Sequence, residues 1–504
     1  MLKKSWSFVR SHFPDALIGL VSFAVAVSVA EFLAAVLRAG SPFLIVGSTI
    51  IDATPTPVKE YAVREFGTAD KPILLGTVAA GMALVAVVTG IVARRRMWIG
   101  VVVLVAFGAA GAVMAMIRPG GAASGWVPPL VGGAAGAVVL VVLTRLRAEA
   151  LPKASPSARS RRRLLVAGGI AVVAGAAGLA GARFLTAAGA VGEQSRAKVR
   201  LPAPASPAVG VAPPDFFTAN RDFYRVDTAL DVPQIDADAW RLRIGGRVAA
   251  EREYSFADLL ARPLIERDIT LVCVSNEVGG PYLGTARWLG VPLAELLDEA
   301  GVEGDADQVV SRSVDGMTIG TPTRVVMDGR DAMLVVGMNG EPLPLEHGFP
   351  VRMLVPGLYG YVSACKWLTE IELTRFDDFD PYWVRRDWAA EAPIKTSSRI
   401  DTPKALGKVA AGMVRVGGVA WAPHRGIRSV EVRVDGGPWE AATIVEAPTA
   451  DTWRQWTYDW NATPGRHDIA VRATDGGGEL QLEPRVTPFP DGATGWHSVA
   501  VRVG

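Results

Sequence analysis

The chain has 504 residues, half of them hydrophobic by count and 20% charged, with 54 Gly, 34 Pro, 2 Cys and a formal net charge of +2. A mean hydropathy of +0.27 is too apolar for an ordinary soluble enzyme and excludes a disordered chain, and two cysteines exclude a disulfide framework. Residues 1–190 hold 19 Lys/Arg against 7 Asp/Glu while the rest hold 33 against 43, so the polar part is acidic and nucleic acid is not an expected partner.

Five apolar runs lie at roughly 16–37, 73–93, 97–117, 126–143 and 164–185. Each has about the 20 residues that a helix needs to cross ~30 Å of hydrocarbon. A backbone without water must bond to itself, so these runs are predicted to be transmembrane helices in contact with a lipid bilayer. Arg94, Arg95 and Arg96 alone separate the second run from the third, which predicts a helical hairpin. Segments 1–14, 94–96 and 144–163 carry 13 Lys/Arg and segments 38–71 and 118–125 carry 5, so the N-terminus is expected in the cytoplasm. Five crossings then leave everything after about residue 186 on the extracytoplasmic side of the cell membrane.

Glu31 is ionisable inside the first run, near its outer end, where it either marks a functional site or pairs with Arg38. Gly132, Gly133 and Gly136 in the fourth run, and Gly168, Gly169, Gly175 and Gly178 in the fifth, suit close helix packing. All five histidines (His12, His347, His424, His467 and His497) are expected outside the spans, which excludes a bis-histidine haem in the membrane. The fifth run opens Ser160-Arg161-Arg162-Arg163-Leu164-Leu165, a pattern read either as a twin-arginine export signal or as a simple positive-inside anchor.

Residues 187–214 contain Leu201-Pro202-Ala203-Pro204-Ala205-Ser206-Pro207 and end in Pro213-Pro214, the composition of a semi-extended spacer. From 215 to 400, β-branched runs (Trp240–Ile244, Ile269–Val274, Met333–Val336, Val351–Val355) alternate with a helical pattern at 290–300, which predicts an α+β domain. From 401 to 504 the pattern is nearly all β, as in Val430-Glu431-Val432-Arg433-Val434, Ile469–Ala473 and Val499–Val503, and predicts a β-sandwich.

Cys273 closes the apolar run Ile269-Thr270-Leu271-Val272 and opens onto Val274-Ser275-Asn276-Glu277-Val278-Gly279-Gly280, a position open to two readings, a ligating thiol and a buried structural one. A second constellation is Leu345-Glu346-His347-Gly348-Phe349-Pro350-Val351-Arg352, followed by Val355-Pro356-Gly357 and Ser363-Ala364-Cys365-Lys366-Trp367. His347, Arg352 and Lys366 among tight turns suit an anionic, phosphate-bearing cofactor, the alternative being solvated loop charges.

Together these segments resemble the sulfite oxidase family of molybdopterin enzymes over about residues 215–500. The resemblance implies that Cys273 is the one protein ligand to molybdenum. It implies that His347, Arg352, Ser363 and Lys366, with Asp315 of Val314-Asp315-Gly316, hold the pterin and its phosphate. Asn220-Arg221-Asp222-Phe223-Tyr224-Arg225 resembles the family's first cofactor-facing turn, with Asn220 and Tyr224 toward the cofactor and Arg225 between cofactor and substrate anion. Residues 401–504 resemble its immunoglobulin-like dimerisation domain, implying a homodimer. Departures stand beside this. Glu277-Val278 follow Asn276 where animal sulfite oxidases carry arginines, and the family's active-site tyrosine has no counterpart in Met317–Thr321. A pocket whose cation is Arg225, with Glu277 nearby, is expected to hold sulfite poorly.

The fold expected is therefore five transmembrane helices, an α+β molybdopterin domain and a β-sandwich. The function expected is two-electron oxygen-atom transfer on a small oxyanion or sulfoxide, with Cys273 and Arg225 at the reacting centre. Mo-molybdopterin is the expected cofactor, without haem or flavin, and a separate cytochrome or quinone-linked protein is the expected electron partner. Cofactor loading before export favours the twin-arginine reading. A non-catalytic membrane receptor or scaffold on the same fold is the alternative.

Overall fold

In the computed structural model, all residues are described except 1, 38, 56–57, 59–60, 62–64, 67–68, 119–121, 151–157, 189 and 211. The chain forms two compact units, residues 1–190 with 228–231 and residues 191–227 with 232–504.

The first unit is helical. Among the described residues, five helices are long and apolar enough to cross a membrane, with the apolar stretches His12–Val36, Lys71–Ala93, Met97–Ile117 and Val127–Glu149 and a fifth in the helix Ala158–Ala188. The first helix begins earlier than its apolar run, at Leu2, because helix formation does not stop where hydropathy falls. His12 accordingly lies at the first residue of a span rather than outside all five. A shorter apolar helix, Pro42–Ala53, has no counterpart in the sequence reading. It is too short to cross and is capped by Ser41, whose hydroxyl accepts from Leu44 N–H at 3.2 Å. Glu31 receives hydrogen bonds from the Ser41 hydroxyl (2.9 Å) and Phe43 N–H (3.0 Å), so it ties the first helix to the short one. Arg38, its expected partner, lies outside the described residues, as does the side chain of Arg161. Asp15 is buried and ion-paired to Arg147 at 2.7 Å and to Arg94 at 3.3 Å, so its charge is not buried alone.

The glycines divide. A Cβ on Gly132 would meet Ala26 O at 2.4 Å, and one on Gly136 would meet Ser22 O at 2.8 Å, so these glycines let the first and fourth spans touch backbone to backbone. A Cβ on Gly168 or Gly169 would meet nothing within 4 Å among the described residues, so these two do not serve close packing there, contrary to expectation. Further along the same helix, Gly175 and Gly178 do have neighbours, a Cβ on each lying 3.6 Å from the Ser28 hydroxyl and 3.4 Å from Ser28 O respectively.

The second unit carries the polar two-thirds of the chain. Within 187–214, expected as a semi-extended spacer, Val191–Lys198 forms a short helix and the chain about Arg196 and Ala205 is packed down. Arg196 donates to Pro342 O and Leu343 O, and Ala205 N–H to Leu264 O. One sheet runs in the order Arg252–Ser255, Arg241–Gly246, Leu368–Thr374, Gln308–Ser313, Thr318–Pro322. A second runs Ile265–Val272, Leu283–Pro292, Met333–Met338, Glu341–Pro342, with Arg352–Leu354 added on Met333–Met338. One core of Leu242, Ile244, Trp288, Val335, Phe349 and Ile371 joins them; Met333–Met338 of the second sheet is buried along its whole length, whereas Arg241–Gly246 and Leu368–Thr374 of the first turn Arg243, Glu370 and Glu372 outward.

Residues 397–503 build two further sheets, Ser397–Thr402, Gly412–Trp421, Arg454–Ala462, Thr443–Ile444 and Lys408–Val409, His497–Val503, Gly465–Asp475, Ile427–Val434, Glu440–Ala441. Val416, Trp456 and Trp460 of one meet Val430, Ile469, Val471 and Val501 of the other in a shared core. After a register shift between Ile427 and Ser429, the strand Ile427–Val434 alternates, turning Val430 and Val432 inward and leaving Glu431 and Arg433 on the other side.

Candidate functional site

Ile265–Val272 is an antiparallel strand whose residues are buried from Asp268 onward, with Val272 opposite Leu283. Cys273 is the next residue. Its N–H donates to Tyr282 O at 2.9 Å, closing a tight loop from 273 to 282. Inside that loop Asn276 N–H donates to Cys273 O (3.0 Å), and the Asn276 side-chain oxygen accepts from Tyr282 N–H (2.8 Å). Burial pushes the Cys273 thiol up, opposed by hydrogen bonds from Ser275. Neither cysteine is in a disulfide. Glu277 stands exposed at the loop apex.

The segment with His347 and Arg352 lies beside it. A short 3-10 turn, Leu345–His347, ends at Gly348 with φ +111°, and the chain then enters Arg352–Leu354 opposite Val335. Arg352 is buried and stacks over Trp288 at 5.2 Å. It donates to His347 O at 3.2 Å, and its Nε has no protein partner. Burial lowers its pKa to about 10. His347 bonds through Nε2 to Asn220 O at 2.9 Å, and burial lowers it to about 4. It is therefore neutral near pH 7, with Nε2 as the donor and Nδ1 left as an acceptor. Asn220 is fixed in turn by Asn339, whose amide donates to its oxygen at 2.8 Å.

Lys366 donates to Asp227 at 2.7 Å and lies 4.6 Å over the Trp367 ring. Burial lowers its pKa to about 8, against the attraction of Asp227. Arg225 donates from Nε to the same Asp227 oxygen at 2.8 Å. Asp227 thus spaces two cations, a role that only the folded chain shows. Tyr224 stacks on Phe223 with centroids 5.3 Å apart, and Phe223 meets both Trp288 and His347 edge to face. The Tyr224 hydroxyl lies within electrostatic reach of both Cys273 and Arg352, and burial pushes its pKa up. Tyr359 also reaches Cys273 electrostatically and is raised to about 12 by burial, so both phenols remain proton donors. Tyr359 went unnoticed in the sequence because nothing in Leu358-Tyr359-Gly360 distinguishes it from a turn residue.

Ser363 and Asp315 stand differently. The Ser363 hydroxyl donates to Leu358 O (3.0 Å) and Tyr359 O (3.1 Å), so its side chain braces the turn. Asp315 accepts from Met317 N–H at 3.3 Å and lies by Cys365, whose pKa burial raises to about 12. Among the described residues no three His, Cys, Asp or Glu side chains converge as a metal site, so a metal at Cys273 would take its other donors from a bound ligand. Buried cations with an orphaned guanidinium nitrogen are built to receive negative charge.

Residues 229–383 match the family model for the oxidoreductase molybdopterin binding domain. Human mitochondrial sulfite oxidase is 30% identical over 344 residues, covering 58% of this chain and 61% of that protein. An uncharacterised oxidoreductase of Bacillus subtilis, YuiH, is 33% identical over 159 residues, which are 31% of this chain and 77% of that one. The sulfane dehydrogenase SoxCD from Paracoccus pantotrophus has a similar fold, with a TM-score of 0.51 at 22% identity over 58% of this chain and 82% of that one.

Proposed function

Because the chain belongs to the sulfite oxidase family of molybdopterin-dependent oxidoreductases, we propose that it is a membrane-anchored enzyme whose catalytic unit works outside the cytoplasm. In this reading it transfers an oxygen atom, with two electrons, on a small oxyanion or sulfoxide-type substrate. The observation that supports it is a buried thiol at a strand end, within reach of Tyr224, which in turn reaches buried Arg352 on the segment that carries neutral His347 and Lys366. Molybdopterin, when bound, supplies the redox chemistry; the chain supplies position and charge.

Cys273 is the thiolate ligand, and ligation costs its proton, which burial alone would keep on the sulfur. Arg352 offers its unpartnered Nε, and Lys366 its ammonium, to the pterin and phosphate. Asn220 orients His347, and Tyr224 spans the distance between thiol and guanidinium. Asp315 and Ser363 act through the loops that they brace. Arg225, half exposed and held by Asp227, meets the substrate anion, while Glu277 repels a second negative charge. Electrons leave to a separate cytochrome or quinone-linked partner. The domain division retained is a helical anchor to about 186, a catalytic domain at 215–400 and an immunoglobulin-like dimerisation domain at 401–504. The shared core of the last two sheets supports that final assignment.

Elemental analysis of the full-length protein, purified from cells that make the cofactor, tests the reading. About one molybdenum per chain is expected. Cys273→Ser is expected to fold and to lose turnover. A folded wild-type protein without molybdenum, from cells whose other molybdenum enzymes are loaded, would establish the scaffold instead.

A further inference from the structure

The loop that follows Cys273 is held from outside its own domain. His497 accepts from Ile400 N–H through Nδ1 at 3.0 Å, which puts its proton on Nε2 and turns that edge toward Gly279. Gly279 has φ +81°, and a Cβ there would lie 2.3 Å from His497 Nε2, so the ring rests directly on the loop backbone. Arg399 is gripped by Asp401 at 2.8 Å and donates from Nη1 to Gly280 O at 2.8 Å. Arg485 reaches Val278 O at 3.5 Å. The strand Ile265–Val272 that leads to Cys273 is an edge strand; Ser206 pairs with its start, and the same C-terminal region covers its free edge next to the thiol. Thr270 N–H donates to Asp451 O at 2.9 Å, and Trp453 N–H to the Thr270 hydroxyl at 2.8 Å.

A ten-residue loop closed by its own turns would fluctuate if only local bonds held it. Its first residue is the thiol, and its apex is Glu277. We infer that Arg399 and His497, from the C-terminal sheets, are positioning residues for the Cys273–Tyr282 loop, setting how the thiol is presented and how far it is shielded. This inference rests on the proposed role of Cys273 for its functional meaning. The clamp itself is a property of the chain without any cofactor.

The test uses full-length, metal-free protein in detergent with iodoacetamide, alkylation of Cys273 and Cys365 being followed by peptide mass spectrometry. Arg399→Ala and His497→Ala are expected to speed Cys273 alkylation about tenfold while Cys365 is unchanged, and Arg399→Lys to restore most of the protection. Unchanged Cys273 rates in both alanine variants overturn the inference. Where an alanine variant exposes both thiols, His497→Gln decides, because the amide keeps an acceptor for Ile400 N–H and loses the ring on Gly279. Faster reaction at Cys273 alone supports the clamp; equal speeding of both thiols, or of neither, overturns it. In loaded protein, Arg399→Ala is expected to keep its molybdenum and shift the Mo(V) paramagnetic resonance spectrum, and an unshifted spectrum counts against the clamp. Wild-type protein that never takes up molybdenum would remove the proposed role of Cys273, leaving the alkylation result standing.

Discussion

At the scale of single residues, burial shapes the titration of the second unit. His347 and His497 are both lowered to about 4 by burial, so in the folded chain they stay neutral well below the ordinary imidazole range. Between pH 6.5 and 4 the unfolded chain takes up two protons that the folded chain does not, and folding stability falls as pH drops through that window. Deeply buried His347 contributes up to roughly 3 kcal/mol to the loss, and His497, more open to solvent, contributes less. Denaturant midpoints of the metal-free protein, read from tryptophan emission, are expected to drop between pH 7 and pH 4.5, and the drop to shrink in His497→Gln; midpoints independent of pH would contradict this. Cys273, His347, Arg352 and Lys366 were legible in the sequence because unusual residue types cluster among turn signals there. Asp227 and Tyr359 were not. Their meaning lies in partners more than a hundred residues away for Asp227 (Lys366) and 86 residues away for Tyr359 (Cys273), and no local pattern encodes such a pairing.

At the scale of elements, hydropathy located the five long apolar helices, each of a length that could cross a membrane. It located neither Pro42–Ala53, which is too short to signal a span, nor the beginning of the first helix at Leu2. The Pro/Ala-rich segment misled for another reason: extended residues without an internal preference take the conformation of the surface they dock on, as Ala205 does on Leu264. Composition also could not sort the glycines. Gly136→Leu must push the first and fourth spans apart, and is expected to lower the thermal midpoint in detergent by several degrees. Gly168→Leu, with nothing within 4 Å, is expected to leave the midpoint within about a degree. Equal effects of the two would contradict the packing described.

At the scale of the whole molecule, the division of charge along the chain sets the proposed topology. Arg95 lies in the turn between two spans, and Asp377 is exposed at 86% of its side chain. In intact cells a membrane-impermeant maleimide is expected to label Asp377→Cys, and to label Arg95→Cys only after permeabilisation. The reverse pattern would place the second unit in the cytoplasm and remove any need for export. The amino-acid sequence by itself determined the helical, apolar first part, the α+β and β-rich second part and the residue types of the site. These follow from hydropathy and periodicity, which act over a few residues at a time. Only the tertiary structure decided that Asp227 holds Lys366 as well as Arg225, which glycines let helices touch, and that residues from the C-terminal sheets reach back to the loop after Cys273. Apart from the Arg225–Asp227 pair, those contacts join segments more than a hundred residues apart, where no local pattern reaches, and burial favours them because an unpaired charge or backbone group in a core is costly.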